Sequence, residues 1–250
     1  MTVSALTLNP NQTVRDIVVE NPQVTLVFDK HGIDYCCGGG KSLAEACQTA
    51  GIAVETVQAT LDGTLQEVSA REQITDWSKA TPGDLIQHII ETHHAFTRFE
   101  IARLGKLLDK VVAVHSANHP ELRQVQNIFY ALSQDLMPHL MKEEQVLFPF
   151  IDRLEKTVTS QMPVPMSCFG TVANPIRMME YEHDQAGSFL KELRQITRDF
   201  TVPEDGCFSY QALYNGLKAF EADLHQHIHL ENNILFPKAK QLEGQVFGKQ

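Results

Sequence analysis

The stretch His139-Leu-Met-Lys-Glu143-Glu-Gln-Val-Leu147-Phe148-Pro149 is echoed further along the chain by His227-Ile-His-Leu-Glu231-Asn-Asn-Ile-Leu235-Phe236-Pro237; both spell the pattern H-x3-E-x3-L-F-P. Four residues turn an α-helix through about 400°, so each His and its Glu lie about 40° apart on one face and one turn apart in height. Both can therefore reach one metal ion. Leu132 and Leu136 share the stripe of His139, and Phe220 and Leu224 share that of His227. An apolar stripe faces a core, so these ligand types point inward. A single His–Glu pair in a core is commonly no more than a hydrogen-bonded pair. Two copies at bundle spacing favour a metal centre.

Outward from the two motifs, apolar residues at three- and four-residue spacing predict four long helices, over about 82–113, 120–155, 173–200 and 209–242. The connections hold Asn118-His119-Pro120, Met162-Pro163-Val164-Pro165 and Pro203-Glu204-Asp205-Gly206, all turn or breaker chemistry. The fold expected is all-α, an up-down-up-down four-helix bundle. In such a bundle, residues at one level lie symmetrically about the turn between them. The midpoint of His94 and His139 falls at Ser116-Ala117, that of His139 and His183 at Gln161, and that of His183 and His227 at Asp205, each inside a predicted turn. His94, His139, His183 and His227 should then stand at a common height, with Glu143 and Glu231 one turn along. Two carboxylates can bridge two cations, each ion keeping two histidines and leaving positions for water or a diatomic ligand. Mixed imidazole and carboxylate donors point to iron, with manganese as the alternative, and six ligands exceed the closed tetrahedron of structural zinc. Without cations, buried Glu143 and Glu231 would be costly.

The remaining histidines read differently. His93 competes with His94: Ile86, Ile89 and Phe96 form a stripe with His93, while Ile90, Ile101 and Leu108 form one with His94, and periodicity does not choose. His225 and His229 flank His227 on the far side of the helix, which predicts surface or supporting positions. His115 lies about 31 Å along the helix from His94 at 1.5 Å per residue, and belongs near the turn. His88 and His119 are expected to be satisfied or exposed. Asp135, one turn before His139 on its inward face, and Glu182, beside His183, are candidates to lead water or protons inward, with plain solvated acids as the alternative.

The segment before the bundle, about 13–70, reads as short helices broken by Asn21-Pro22, Gly32 and Gly38-Gly39-Gly40. A small helical amino-terminal domain over 1–75 and a bundle over 81–243 are the expected division, with Thr81-Pro82-Gly83-Asp84 supplying the start signals of the second. With 21 basic and 31 acidic residues, the net charge of −10 disfavours nucleic acid and anionic membranes as partners. The amino terminus lacks a basic, apolar leader, and no segment approaches the ~20 apolar residues of a membrane span, so a cytoplasmic location is expected. Five cysteines, two of them adjacent at Cys36 and Cys37, do not form the even framework of a secreted fold. The adjacent pair is either two small residues before a glycine turn or, as a strained vicinal disulfide, a redox pair. Its spacing from His31 is unlike a zinc motif. Cys47, Cys168 and Cys207 read as ordinary thiols.

Gly32-Ile-Asp-Tyr-Cys36-Cys37-Gly-Gly, the two H-x3-E-x3-L-F-P motifs and Glu182-His183-Asp184-Gln-Ala-Gly together resemble the repair of iron centres family, of the ScdA and YtfE type, over nearly the whole chain. The resemblance implies a small amino-terminal domain joined to a hemerythrin-like bundle. It selects His94 over His93, which stands where the family usually has an aromatic, and the connection from Thr157 to Phe169 is longer than the family pattern. It implies a stress protein with two non-haem, carboxylate-bridged iron ions on His94, His139, Glu143, His183, His227 and Glu231. That protein would repair iron-sulfur clusters damaged by nitric oxide or oxidants, and Cys36 and Cys37 would take a redox or cluster-contacting part. Donation of iron to damaged client proteins is the leading reading, without conventional enzyme turnover. Binding or reduction of nitric oxide, or oxygen binding and sensing, are the alternatives, and a second copy of the chain is a further candidate partner.

Overall fold

The computed structural model describes residues 7–68, 75–160 and 162–248, the side chains of 63–68 excepted, and the described residues contain helices and turns with no β-strand. Contacts divide the chain into two compact units, Met1–Thr81 with Ile228–Leu235, and Pro82–His227 with Phe236–Gln250.

In the first unit, helix α1 (Val14–Glu20) begins where the Thr13 side chain accepts from the Asp16 N–H at 3.1 Å. Helix α2 (Thr25–His31) stops at Gly32, whose φ of 64° is the left-handed conformation that glycine reaches most readily. Helix α3 (Leu43–Ala50) carries a full capping box of Ser42 and Glu45, and α4 (Val54–Val68) follows. Val14, Ile17, Val18, Val27, Phe28, Leu43, Val57 and Leu61 are buried, which gives this short unit a core of its own.

The second unit holds the bundle helices, apart from the Ile228–Leu235 stretch of the last one. Helix α5 spans 82–115, α6 spans 122–160, α7 is Ala173–Ile196 and α8 spans 208–247. The strongly apolar stripes meet as the spacing predicts: Leu104, Leu108, Phe129, Leu132, Leu136, Leu190, Leu213, Leu217, Phe220 and Leu224 are all buried, and the Phe129 and Phe220 rings meet edge-on at 5.9 Å. Ser116-Ala117 and Asp205 lie between helices, as their midpoints require; Gln161 is outside the described residues. The end of α7 differs from expectation. The helix closes at Ile196 rather than near 200, because Arg198, Asp199 and Phe200 turn to positive φ values of 50°, 58° and 56°. Thr197 Oγ1 holds this turn by accepting the Phe200 N–H at 3.1 Å, and Phe200 is buried.

Three of the four bundle helices widen into a π turn: Ile89–His94 in α5, Glu143–Leu147 in α6 and Leu230–Leu235 in α8. Two of these end just before Phe148-Pro149 and Phe236-Pro237. A proline has no N–H to give the carbonyl four residues back, here that of Gln145 or Asn233, which favours a wider turn at that point. The Leu-Phe-Pro of each repeated motif thus has a backbone meaning.

Candidate metal centre

Each π turn carries a predicted ligand. His94 closes the one in α5, Glu143 opens the one in α6 with His139 a turn ahead, and Glu231 is second in the one in α8, a turn after His227; His183 stands on the regular helix α7. All six are buried, His94, Glu143, His227 and Glu231 at 0% exposure, so the charge of the carboxylates is out of reach of solvent. His94 Nε2 lies 3.2 Å from His227 Nε2, and His139 Nε2 lies 3.1 Å from His183 Nε2. Glu143 spans the two pairs, with Oε2 at 3.5 Å from His94 Nε2 and Oε1 at 3.3 Å from His139 Nε2. Two donor sets result, His94, Glu143, His227 and Glu231, and His139, Glu143, His183 and Glu231, each with its donor atoms within 4.8 Å of one another.

The outer edges of two of these rings fix where their protons are. His94 Nδ1 sits 2.7 Å from Glu144 Oε1, and His139 Nδ1 sits 2.8 Å from Glu182 Oε2. A carboxylate only accepts, so each imidazole donates from Nδ1 and turns the lone pair of Nε2 inward. Arg98 Nη2 holds Glu144 at 2.8 Å, and the Lys142 ammonium holds Glu182. Burial pushes the Glu144 carboxyl up, but the hydrogen bonds from His94 and Arg98 outweigh it and leave it below its ordinary value. The bond from His139, above all, holds Glu182 down at about 2, with Lys142 adding to it against burial. Inward lone pairs and a shared buried carboxylate fit divalent cations: two nitrogens and two oxygens per ion is a borderline donor set that suits iron or manganese. The residues present therefore fit a metal pair.

Glu182 thus orients His139. Asp135, expected on the inward face, is exposed: Leu136 and Glu143 lie on the other flank of His139, which turns Asp135 outward. Glu144 escaped the sequence reading, although its neighbour Glu143 was the signal, since successive helical residues differ by 100° and the second can hold a ring from outside. His93 joins neither donor set. It is buried, with Nδ1 3.0 Å from Asp223 Oδ1 and its ring parallel to that of His227 at 5.8 Å. His229 is buried rather than on the surface; its Nδ1 accepts from Asn233 Nδ2 at 2.9 Å, and burial lowers it to about 4. His225 is half-buried. His88 Nδ1 lies 3.2 Å from Thr92 Oγ1. His115 stands at the end of α5 as placed, with Nε2 3.1 Å from Cys207 Sγ. Cys207 is no ordinary thiol: backbone N–H groups, that of Tyr210 foremost, and His115 bring it down to about 7.

Cys36 and Cys37 carry free thiols, Cys36 buried and Cys37 half-buried, with their sulfurs 3.9 Å apart. The neighbouring Cys37 thiol and burial push Cys36 well above the ordinary thiol range. Cys47 is buried, and Cys168 is exposed.

Residues 85–239 match the hemerythrin HHE cation binding domain, and residues 10–64 match ScdA_N, a domain of unknown function. The chain is 36% identical over 231 residues to a probable iron-sulfur cluster repair protein of Haemophilus influenzae, covering 91% of this chain and 96% of that one. It is 34% identical over 229 residues to the iron-sulfur cluster repair protein YtfE of Yersinia pseudotuberculosis, and 33% identical over 230 residues to that of Dickeya chrysanthemi; each match covers 92% of this chain and 96% of the relative.

Proposed function

Because this chain belongs to the iron-sulfur cluster repair family, joining an ScdA_N domain to a hemerythrin HHE cation binding domain, we propose that it holds two iron ions in its bundle and repairs damaged iron-sulfur clusters by donating iron. The observation that carries the reading is the meeting of two buried imidazole pairs across the two oxygens of Glu143. His94 and His227 would hold one ion, His139 and His183 the other, with Glu143 and Glu231 shared. Bound there, the iron pair supplies an exchangeable, redox-active store with coordination positions left for small ligands.

What the chain itself does is separable. The two imidazole pairs are separate and only the carboxylates would be held in common, so the chain offers each metal position two nitrogen donors that the other does not use. Glu144 and Glu182 keep the Nε2 lone pairs aimed inward throughout. The buried rings of Phe148 and Phe236 stack on His94 and His183, and both carboxylates are at 0% exposure, so they hold cations more strongly than the same groups would in solution. The clients are proteins with damaged clusters, the setting is nitrosative or oxidative stress in the cytoplasm, and the domains divide at 1–75 and 81–243. Among the described residues no helix is long and apolar enough to cross a membrane.

A second reading, binding or reduction of nitric oxide, draws on the same geometry, since four protein donors per ion leave room for a diatomic ligand. Anaerobic metal analysis with Mössbauer spectroscopy tests the centre: about two coupled irons per chain are expected, falling toward one or none in Glu143→Ala and in Glu231→Ala. Unchanged iron in both variants removes the assignment. Sustained turnover of nitric oxide without loss of iron would favour the second reading over donation.

A further inference from the structure

The loop between α2 and α3 brings together three donors that the bundle does not use. Asp34 Oδ1 accepts the backbone N–H groups of Cys36 at 3.1 Å and Cys37 at 2.9 Å, so its carboxylate is pinned beside both thiols. Cys36 Sγ lies 3.4 Å from the same oxygen and 3.9 Å from Cys37 Sγ. The donor atoms of Asp34, Cys36 and Cys37 all lie within 4.8 Å of one another. The two separations from Cys36 Sγ match edges of a coordination polyhedron. With metal–sulfur bonds of about 2.3 Å and metal–oxygen bonds of about 2.1 Å, a tetrahedral ion has a sulfur–sulfur edge of about 3.8 Å and a sulfur–oxygen edge of about 3.6 Å.

The backbone is shaped to keep this arrangement. A Cβ at Gly38 would lie 3.0 Å from both the carbonyl oxygen and Oδ2 of Asp34, and one at Gly39 would lie 2.8 Å from the Tyr35 carbonyl. A side chain at Gly38 would crowd the Asp34 carboxylate, and one at Gly39 would force the backbone at Tyr35 to shift. Cys36 is buried, whereas Asp34 is exposed and Cys37 half-exposed, so solvent reaches two of the three donors, and three donors leave one corner of a tetrahedron without a protein ligand. His31, the nearest imidazole in sequence, is occupied elsewhere, with Nε2 2.9 Å from Thr60 Oγ1.

We propose that Asp34, Cys36 and Cys37 form a second metal site, which takes one thiophilic divalent cation on two thiolates and one carboxylate with its fourth position exchangeable. Binding replaces two S–H bonds by two metal–sulfur bonds and releases two protons to solvent; no electron moves. Three protein donors and an open corner suit a cation held in passing rather than a structural one, which would close its tetrahedron. The site does not depend on the bundle centre, whose donors are nitrogen and oxygen only.

Cobalt(II) tests it, because thiolate ligation gives a sulfur-to-cobalt charge-transfer band that imidazole and carboxylate cannot give. Reduced full-length protein carrying Cys168→Ser and Cys207→Ser, which removes the exposed thiols, is titrated anaerobically. The band should saturate at one equivalent and be bleached by zinc but not by magnesium. It should vanish in Cys36→Ser and in Cys37→Ser, and Asp34→Asn should weaken cobalt binding at least tenfold with the far-ultraviolet dichroism unchanged. Absence of the band, its survival in either cysteine variant, failure of zinc to displace it, or undiminished binding in Asp34→Asn overturns the site. Glu143→Ala should leave the band intact, which separates this outcome from that of the bundle centre.

Discussion

Glu144 and Glu182 act on the metal ligands from behind. Each accepts from the Nδ1 of a buried histidine and is itself held by a cation, Arg98 or Lys142. Replacing either by glutamine keeps the shape but offers the ring an amide that can turn its donor toward it, so the tautomer is no longer enforced. Loss of such a partner typically costs 10–100-fold in metal affinity, and about that loss is expected for Glu144→Gln and for Glu182→Gln, read by competition with a chelator. His93→Phe should keep full iron content, since His93 pairs with Asp223 and belongs to neither donor set. At this scale the spacing points to His139, Glu143, His183, His227 and Glu231, whereas it leaves His93 and His94 level, and the family resemblance is what favours His94. The outer partners do not show in the spacing, because a partner on another helix leaves no period in the sequence: Glu182 reaches His139 across the gap between α7 and α6.

A different pair governs the turn end of the bundle. Hydrogen bonding to Asp205 raises the His119 imidazole above its ordinary value, Glu121 adds to it, and the same contact with His119 lowers Asp205. His115 and Tyr210 pack beside it. A raised histidine stabilises the fold fully below its unfolded pKa of about 6.5 and loses that contribution as pH rises through its folded value. A lowered aspartate contributes above its unfolded pKa of about 3.9 and loses this as pH falls through its folded value. The stability lost in His119→Ala should therefore be largest between about pH 4 and 6.5 and shrink on either side. Urea denaturation across that range checks it.

Among the elements, helix existence followed from the apolar spacing, while two departures did not. The end of α7 shows why: Arg198, Asp199 and Phe200 have no glycine to announce a left-handed turn, and its support comes from Thr197 and the burial of Phe200. Holding an ordinary residue there costs roughly 1–2 kcal/mol, partly regained by glycine at its own entropic cost of roughly 0.5–1 kcal/mol. Arg198 is exposed, so Arg198→Gly should stabilise the protein by about 0.5–1 kcal/mol in equilibrium unfolding. The π turns are the other departure. A strict 100° per residue places a His and its Glu correctly over one turn, as with His139 and Glu143, but misses the extra residue that follows. Proline after the motif is a local sign of it in two of the three π turns, and by itself it reads only as part of a repeat.

For the molecule as a whole, stability and metal content should be one quantity. Two carboxylates at 0% exposure carry charge that only cations offset well, so stripping the metal with a chelator should lower the melting temperature. A ligand present at a hundred times its dissociation constant stabilises by about 2.7 kcal/mol, which sets the scale; an unchanged melting curve after complete removal would contradict the centre. Thr81-Pro82 marks the place in sequence where the first compact unit gives way to the second, but no breaker marks Ile228–Leu235, which groups with the first. What the sequence could not convey is how a sealed interior stays in touch with its medium. Side chains of Glu144 and Glu182 are about a quarter open, at 26% and 25%. Dissolved salt, which weakens their grip on Arg98 and Lys142, can thereby loosen the rings beneath while no solvent molecule enters. The ionic strength of the surroundings becomes a dial on how firmly those rings are aimed.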